Sequence, residues 1–388
     1  MKVLFLTDSL SDLDGVGRYA HRLIAALERN RPGLEVHVLL ARKHHPTSDS
    51  VPKHWTIDVA LPPDWYFYMK PLRFWVWRIL AGWKTWRAAR SAVIVHAIKD
   101  FPHSMTALDG ARLAGKPCIA TAHGTYTVQP VKDPRTRKRA TKTYHGFARL
   151  ISVSQYTLNL LQRALGERAL PTSKVVVIPN CVDAEHYVAT RDVGDADWHG
   201  RDFVVTIGEV KERKGLHLAL EGFLKVAAEH PTWHHYIVGR LSGDDYERRL
   251  RGMAQDAGFA DRVHFLGNVT EDQKVDLLQR AGVFLHTPVT AADGGFEGFG
   301  LVYLEANAAG TPCIGTLDSG AIDAIRDERT GLLVEQTGAA TAVALSRLMG
   351  DADLRERMGQ AGREHAGTQT WDTNALEVLA IYDQELGR

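Results

Sequence analysis

The sequence predicts an α/β protein with two domains, each built on a parallel sheet that is covered by helices. Short runs of β-branched residues alternate with helical patterns along the whole chain, as in repeated βαβ units. The 388 residues are too many for one ordinary hydrophobic core and suit two. A polar stretch at 183–200 separates the halves, so we expect one domain over residues 1–188 and a second over 189–370.

The strands are predicted from apolar runs of three to five residues. In the first half these are Val3–Thr7, Val36–Leu40, Val93–Ala97, Cys118–Ala122, Leu150–Val153 and Val175–Ile178. In the second half they are Phe203–Ile207, His235–Val238, Val263–Leu266, Val283–Thr287 and Cys313–Gly315. Helical patterns between them include Tyr19–Leu27, Leu216–Ala228 and Asp245–Ala257. In a pair of such domains, we expect ligands at the carboxyl ends of the strands, in the cleft between the halves.

The composition is that of a soluble globular protein, with 45% hydrophobic and 24% charged residues. The N-terminal MKVLFLTDSL has too short an apolar run for a signal peptide, and no run of 18 apolar residues predicts a transmembrane helix. The three cysteines are far apart and odd in number, which favours reduced, buried thiols over disulfides or a zinc site. We therefore expect a cytoplasmic protein.

The net charge of +1 conceals an asymmetry between the halves. Residues 1–190 contain 27 lysines and arginines against 14 acidic residues, whereas residues 191–388 contain 20 against 32. The basic half is therefore expected to meet an anionic partner such as anionic lipid, a lipid phosphate or an acidic glycan. Nucleic acid is not expected, because no nucleic-acid-binding module is recognisable.

The segment Gly294–Glu305, GGFEGFGLVYLE, contains the strongest functional signal in the chain. Two carboxylates, Glu297 and Glu305, flank a Gly-Phe-Gly turn, and a helix is predicted from near Gly300 to Gly310. Glu305 then lies about one and a half turns, roughly 7 Å, inside that helix. The free N–H groups at the helix start favour an anion such as phosphate. This arrangement suits a nucleotide-sugar, with one acid for sugar hydroxyls and one for ribose hydroxyls; the alternative is a surface loop with solvated acids.

This segment resembles the Glu-x7-Glu motif of retaining glycosyltransferases with the GT-B fold, in particular those of family 4. Four further segments look like blocks of that family in the expected order: Val175–Asp183, Gly208–Gly215, Arg262–Val269 and Trp371–Leu386. The resemblance implies two Rossmann-like domains whose parallel sheets face each other across a cleft. It also implies that the first domain is on the acceptor side, that the second holds the donor, and that a last helix at about 371–388 joins the first domain.

The implied reaction moves a sugar from a nucleotide-diphosphate sugar to a hydroxyl of a glycan or lipid-linked acceptor, with retained anomeric configuration. The resemblance assigns catalytic roles to Glu297, which orients or stabilises the sugar, and to His123, which contacts it. Glu305 would hold the ribose. The other donor-binding positions that the resemblance assigns are Gly15, Gly17, Lys214, Val269, Phe299, Gly300 and Leu301. No cofactor or metal is expected, since no histidine cluster has metal spacing and there is no Asp-x-Asp pair of the kind that metal-dependent transferases use.

The pattern Gly15-x-Gly17-x-x-Ala20 also matches a dinucleotide fingerprint, which is typical of an oxidoreductase. Two observations weigh against this interpretation. Seven residues separate the first strand from Gly15, and the second strand ends at Ala41-Arg42-Lys43 without an acid for an NAD ribose. We therefore interpret the segment as a flexible glycine loop whose backbone approaches a diphosphate.

Lys214 precedes Gly215 at a predicted strand-to-helix turn, where its ammonium can donate to a diphosphate. The family usually has an arginine where this chain has Glu209. A carboxylate near phosphate is repulsive, so we expect Glu209 to point elsewhere, with Lys211 or Arg213 taking over part of the role. His123 follows a predicted strand directly, where functional sites concentrate.

Three further segments carry weaker predictions. Lys274 could cover the base of the nucleotide, but the sequence favours a solvated helix lysine. The aromatic and basic segment Pro62–Arg90 holds five of the nine tryptophans, which is typical of a membrane interface, an acceptor groove or a helix pair packed on the domain. Lys132–Lys142 is predicted to be a mobile basic loop.

Two alternatives to the transferase remain. A sugar-nucleotide epimerase on the same fold should lack the Gly-Phe-Gly block, which is present here. A non-catalytic sugar-nucleotide-binding relative is favoured only by Glu209, whereas Glu297, Glu305 and Lys214 speak against it.

Overall fold

The computed structural model describes residues 1–11, 15–41, 50–62 and 70–388. The chain divides into two compact units. Unit 1 comprises residues 1–180 and 371–388, and unit 2 comprises residues 181–370. The division follows Asn180, whereas the sequence suggested 188, because the short helix at 184–188 packs on a helix of unit 2.

Unit 1 is built on a sheet of seven parallel strands in the order β3-β2-β1-β4-β5-β6-β7. Its strands are β1 (Lys2–Thr7), β2 (Glu35–Ala41), β3 (Thr56–Leu61), β4 (Ile94–Ala97), β5 (Cys118–Ala122), β6 (Arg149–Ser152) and β7 (Val175–Val177). Its helices up to that point are α1 (Gly15–Asn30), α2 (Pro71–Ala89), α3 (His103–Leu113), α4 (Thr125–Lys132), α5 (Arg137–Gly146) and α6 (Gln155–Leu165). The central strand β1 is buried from Val3 to Thr7, as expected for a parallel sheet covered on both faces.

Unit 2 is built on six parallel strands in the order β10-β9-β8-β11-β12-β13. They are β8 (Asp202–Ile207), β9 (Trp233–Val238), β10 (Val263–Gly267), β11 (Val283–Leu285), β12 (Cys313–Thr316) and β13 (Gly331–Val334). The helices are α7 (Ala184–Val188), α8 (Leu216–Val226), α9 (Asp245–Asp256), α10 (Glu271–Arg280), α11 (Leu301–Ala309), α12 (Ala321–Ala324), α13 (Gly338–Gly350) and α14 (Ala352–Thr368). Fully buried Leu220 and Phe223 of α8 pack with Leu345 and Leu348 of α13 in its core.

The last helix, α15 (Trp371–Glu385), belongs to unit 1 and packs along α1. Three contacts hold it there. The Tyr382 hydroxyl lies 2.6 Å from Nδ1 of buried His96, and the Arg31 guanidinium donates to Asp383 at 2.6 Å. The Trp371 ring packs edge-on against Tyr19. The chain thus returns to its first unit after completing the second.

The predicted strands are all present, and two were missed. The missed β3 has an exposed and partly polar first half, so it forms no continuous apolar run. The four-residue β13 was overlooked although several predicted strands are equally short. Lys132–Lys142 is not the mobile loop that we predicted, because α4 and α5 cover most of it. Its lysines, arginines and alanine are good helix formers, and Asp133 joins the two helices by accepting from the Arg135 guanidinium at 2.8 Å.

Both sheets reverse their strand order at one point, between β1 and β4 in unit 1 and between β8 and β11 in unit 2. The connections that leave two strands at such a point run in opposite directions and open a crevice at the carboxyl ends. Each unit is therefore expected to carry its functional side chains there.

Candidate active site

In unit 2, the chain that leaves β8 and the chain that leaves β11 bring four charged or titratable side chains together. The Lys214 ammonium donates to Oε2 of Glu297, the Arg213 guanidinium lies 3.7 Å from the same oxygen, and Nε2 of His286 lies 3.8 Å from it. The Lys214 and Glu297 side chains are each 15% exposed. The predicted Lys214 and Glu297 are thus adjacent at the switch point of the sheet, together with Arg213, which the sequence analysis named as one substitute for the missing arginine, and His286, which it did not assign.

The backbone at Gly215 explains how Lys214 reaches this position. A 3₁₀ turn over 212–214 ends at Gly215, whose φ of +64° lies in the left-handed region. A Cβ at Gly215 would lie 1.7 Å from the carbonyl oxygen of Thr287. The glycine therefore lets α8 begin directly against the exit of β11, as the predicted strand-to-helix turn required.

Glu297 is held ionised by its surroundings. Burial is the largest single influence and by itself would raise the pKa of the carboxyl, but Lys214, His286 and Arg213 together outweigh it, and Lys214 makes the largest single contribution of the three. The resulting pKa lies well below the ordinary value. Burial lowers the pKa of His286, so that its imidazole is neutral near pH 7. The cluster therefore combines one carboxylate, two permanent cations and one neutral imidazole.

The start of α11 lies directly after this cluster. Gly300 precedes the helix with φ +84°, and a Cβ there would lie 2.6 Å from the Tyr303 ring, so only glycine fits. The N-cap residue, Gly300, has no side chain to cap the helix, which leaves N–H groups of its first turn available to an anion. Phe299 is 3% exposed and Leu301 is half-buried. The helix ends at Ala309 before Gly310, as predicted.

Glu305 lies deeper, on the second turn of α11, and is 4% exposed. The Lys274 ammonium donates to its Oε2 at 3.3 Å and also to the Tyr187 hydroxyl at 3.1 Å. Lys274 is 9% exposed, so the prediction of a solvated lysine was wrong. Glu305 and Tyr187 bury it through α11 and α7, two elements far from it in sequence.

Glu209 is the residue that departs from the family pattern, and its negative charge is compensated by neighbouring cations. The Arg240 guanidinium and the Lys211 ammonium both pair with its carboxylate, the latter at 2.8 Å. Burial opposes ionisation of Glu209, but these two hydrogen-bonded cations hold its pKa below the ordinary value. Lys211 is thereby engaged, whereas Arg213 faces Glu297 and is the better substitute for the missing arginine. Val269 lies two residues after β10 and is half-buried.

In unit 1, His123 directly follows β5, as predicted. Its Nε2 lies 2.7 Å from the carbonyl oxygen of Ile98, and its backbone N–H donates to Asp100 at 3.2 Å. The Tyr19 ring packs edge-on against the imidazole at 4.8 Å. Burial lowers the pKa of His123 even though Asp100 opposes the shift. A neutral imidazole at this edge can exchange hydrogen bonds with hydroxyl groups.

The sequence analysis missed the charged residues beside His123. The Lys99 ammonium lies 2.6 Å from Asp8, and both side chains are nearly buried. Asp100 also accepts from the Thr127 hydroxyl. Each of Asp8, Lys99 and Asp100 follows a predicted strand within three residues, so the rule that found His123 could have found them as well.

The glycine segment differs from its prediction. Gly15 and Gly17 form the first turn of α1 rather than a loop, and neither has a positive φ. Gly15 is exposed with open space around its Cα, and Gly17 is buried. Residues 12–14 lie outside the described residues. The two glycines therefore belong to the first turn of a helix.

Among the residues described, no group of three or more histidine, cysteine, aspartate or glutamate side chains is arranged to hold a metal ion.

Comparisons with known proteins bear on the family and the fold of the chain. The sequence model "Glycosyltransferase Family 4" matches residues 13–186, and "Glycosyl transferases group 1" matches residues 195–365. A GDP-mannose-dependent alpha-(1-6)-phosphatidylinositol monomannoside mannosyltransferase from Mycobacterium tuberculosis is 31% identical over 277 residues, which cover 69% of this chain and 70% of the relative. A D-inositol 3-phosphate glycosyltransferase from Corynebacterium urealyticum is 32% identical over 181 residues, covering 45% of this chain and 41% of that relative.

Solved structures share the fold at low sequence identity. Anabaena HepE, in complex with UDP and glucose, has a TM-score of 0.75 at 18% identity and covers 99% of this chain and 100% of its own. WaaG, a glycosyltransferase involved in lipopolysaccharide biosynthesis, has a TM-score of 0.69 at 15% identity, covering 98% and 99%. With both halves matched by family models and a relative above 30% identity, the oxidoreductase interpretation of the glycine pattern is set aside. The chain belongs to family 4 of the glycosyltransferases and has the GT-B fold.

Proposed function

We propose that this chain is a retaining glycosyltransferase that moves a sugar from a nucleoside-diphosphate sugar to a hydroxyl acceptor without a metal ion. The observation that supports it most is the cluster at the switch point of unit 2. A carboxylate, Glu297, is kept ionised between Lys214 and Arg213, immediately before the free N-terminus of α11. A nucleotide-sugar needs cations and backbone amides for its diphosphate and a carboxylate for its sugar, and this cluster places both kinds of group side by side.

In this proposal Lys214 and Arg213 act on the departing nucleotide. The diphosphate gains negative charge as the glycosidic bond breaks, so a cation placed there stabilises the transition state more than the ground state. The Lys214 ammonium is already fixed by Glu297, which lowers the cost of ordering it. With a donor bound, the diphosphate competes for this cation, together with the backbone N–H groups of Phe299, Gly300 and Leu301.

Glu297 then orients the sugar or stabilises the positive charge that develops on it, while the acceptor hydroxyl attacks from the face of the leaving group. Glu305 receives the ribose hydroxyls, and the backbone at Val269 contacts the base. From unit 1, His123 is proposed to contact the sugar, and the amides at Gly15 and Gly17 are proposed to contact the diphosphate.

The first test is a screen for donor turnover with UDP-, GDP- and ADP-sugars, followed by NMR of the product anomer. The mycobacterial relative is named for GDP-mannose, so GDP-mannose is included in the first round. We expect one nucleotide class to be hydrolysed or transferred faster than the others, with retained configuration. An inverted product would reject the retaining mechanism. Interconversion of the donor sugar without nucleotide release would favour the epimerase, and binding without turnover would favour the non-catalytic relative.

We also propose that unit 1 docks on an anionic membrane that carries a lipid-linked acceptor. Helix α2 packs on α3 through Arg78, which donates to Asp109 at 2.7 Å. Its opposite face exposes large apolar side chains: Leu72 (78%), Trp75 (46%), Val76 (47%), Ile79 (66%), Leu80 (47%) and Trp83 (49%). Arg87 lies over the Trp83 ring at 5.9 Å. Residues 63–69 of this aromatic and basic segment lie outside the described residues.

An apolar helix face with tryptophans and flanking cations suits the boundary between lipid headgroups and acyl chains. The excess of positive charge in residues 1–190 would attract an anionic leaflet. Across the described part of the chain, no helix has the length and apolar character needed to span a bilayer. We propose that the enzyme is cytoplasmic and that its association with the inner face of the membrane is peripheral.

A further inference from the structure

His286 is the least explained side chain in the cluster. It directly follows β11, its side chain is 0% exposed, and neither ring nitrogen has a hydrogen-bond partner among the described residues. A buried polar group without a partner costs free energy, so such a group needs a reason to be there. Its Nε2 lies 3.8 Å from Oε2 of Glu297, just beyond hydrogen-bond range.

The neighbouring residues orient the His286 imidazole towards Glu297. The Tyr303 hydroxyl donates to the backbone carbonyl of His286 at 2.6 Å, which fixes the residue at the strand exit. The rings of Tyr303 and Phe284 lie 5.5 and 6.3 Å from the imidazole centroid and are tilted against it. Of the groups with which His286 interacts, Lys214 and Arg213 are cations that cannot accept a proton from it, and the acceptor is Glu297.

We propose that His286 is a positioning residue that donates an Nε2–H hydrogen bond to Glu297 once the donor diphosphate has drawn Lys214 away. This inference rests on the proposed function and extends it. While Lys214 is paired with Glu297, the carboxylate has a cation and does not need the imidazole. When the diphosphate takes the ammonium, Glu297 would be left nearly buried and less compensated, with its orientation no longer fixed. A small rotation of the carboxylate closes the 3.8 Å gap to His286.

This arrangement requires a neutral imidazole with its proton on Nε2. Burial lowers the pKa of His286, which agrees with the neutral form. A neutral donor suits the role, because a third positive charge would compete with the charge that develops on the sugar. His286 would then keep Glu297 ionised and aligned during transfer without touching substrate itself.

Two substitutions separate donation from packing. His286→Gln keeps an N–H at about the reach of Nε2, whereas His286→Leu keeps about the volume and removes the donor. We expect His286→Leu to lower kcat about ten-fold or more, with the donor KM and the affinity for the nucleoside diphosphate unchanged within about two-fold. His286→Gln should recover most of the lost kcat. The matched control is His235→Leu, another fully buried histidine, which pairs with Thr206 at 2.9 Å and should affect thermal stability but not kcat.

Wild-type kcat in His286→Leu, equal losses in the Leu and Gln variants, or a parallel loss of nucleotide affinity would each overturn the proposal. A second measurement does not depend on turnover. In ¹⁵N-histidine-labelled protein, the signal that is absent from His286→Gln should show the Nε2–H tautomer, and its proton should move downfield when UDP or GDP saturates the site.

An Nδ1–H tautomer, a doubly protonated ring or no change on nucleotide saturation would contradict the role of His286. If the wild-type enzyme turned over no donor and bound neither nucleotide, the proposed function would fail. The tautomer of His286 in the nucleotide-free protein would then show by itself whether its Nε2 carries the proton needed to donate to Glu297.

Discussion

The carboxyl edges of the two sheets can be compared directly, because both sheets reverse their order beside the first strand of the unit. In unit 1 the edge holds Asp8 paired with Lys99, and Asp100 bonded to Thr127 and to the backbone of His123. In unit 2 two cations, Lys214 and Arg213, converge on Glu297. The strand order therefore sets where a site can form, and the loops after the strands set its chemistry.

The difference also indicates what each edge can bind. Two cations on one carboxylate leave positive charge available to a diphosphate in unit 2. In unit 1, His123 is neutral and lies among hydrogen-bonded side chains, an environment that suits hydroxyl groups. The outer surface differs as well, since the basic excess lies within residues 1–190 and the acidic excess within 191–388.

The largest expected effect is on turnover, and it tests whether the unit 2 edge carries the chemistry. Glu297→Ala should lower kcat about 10²- to 10³-fold, because a charge that acts in the transition state is removed. Affinity for the nucleoside diphosphate should stay the same or increase, since Lys214 loses its competing partner. Kinetics and calorimetry with the diphosphate measure the two quantities separately. The control is Glu247→Ala, which removes a buried carboxylate that pairs with Arg251 at 2.9 Å, outside the cluster. Equal kcat losses in both variants would reject a specific role for Glu297.

The second prediction concerns the cation. Lys214→Met should weaken donor binding about ten-fold or more, because a charge-assisted contact to the diphosphate is lost. It should also raise the pKa of Glu297, since Lys214 is the main group that opposes the effect of burial. A carboxyl that must be ionised then protonates at higher pH, so the acid limb of the kcat/KM profile should move to higher pH than in wild type.

For the same reason, Glu297 stabilises the fold above its ordinary pKa, and this contribution is lost as the pH falls through its depressed folded value. Lys214→Met should therefore lose stability near neutral pH and differ less from wild type in acid. An unchanged acid limb in the variant would show that Lys214 does not control Glu297.

The third prediction concerns the nucleotide. Glu305→Ala should weaken binding of UDP or GDP by about 1–3 kcal/mol, the cost of losing a buried hydroxyl partner. Lys274 would then be left buried without its carboxylate, so part of the loss could come from the fold. The double variant Glu305→Ala/Lys274→Met removes both charges and serves as the control. If its nucleotide affinity, measured by calorimetry, equals that of wild type, Glu305 does not bind the ribose.

The sequence indicated some, but not all, of the candidate residues that lie next to strand exits. The glycine-rich turns and the spacing of the two acids, together with the family resemblance, predicted Lys214, Glu297 and Glu305 as site residues, and the position after a strand predicted His123. Contacts between residues far apart in the chain could not be predicted from the sequence. Lys274 looked like a solvated lysine because its burial depends on α7 and α11, 87 and 31 residues away at the contacting side chains.

The sequence also failed to predict the ion pair of Glu209 and the position of His286, for similar physical reasons. The charge of Glu209 is compensated by Arg240, which lies 31 residues further along the chain. For His286, the residue type at a strand exit was visible, but 18 histidines in the chain gave no reason to select it. Its complete burial and its direction toward Glu297 appear only in three dimensions.

The fourth prediction contrasts the exposed surface of unit 1 with that of unit 2. Liposomes that contain anionic lipid should co-sediment with the protein at low salt, and added salt should weaken binding because it screens the charges. Leu72→Ser/Ile79→Ser/Trp83→Ser should reduce binding several-fold, since these side chains lie on the exposed face of α2. Arg78 is a poor target, because it holds α2 on α3 through Asp109. The control, Val343→Ser, changes an apolar side chain of unit 2 that is 73% exposed. Wild-type protein that ignores anionic liposomes at low salt would reject membrane docking.

The smallest expected effect is that of metal chelation on activity, because the site in unit 2 already contains two cations. Lys214, Arg213 and the N–H groups at the start of α11 supply the positive charge that a divalent ion would otherwise bring to a diphosphate. Activity measured after treatment with EDTA should therefore equal untreated activity within about two-fold. The same assay on Lys214→Met distinguishes the two sources of charge, because added magnesium should partly restore donor turnover there if a cation at this position is what the reaction needs. Complete loss of wild-type activity on chelation, restored by manganese or magnesium, would show that the protein cations are insufficient and that the proposed metal-independent mechanism is wrong.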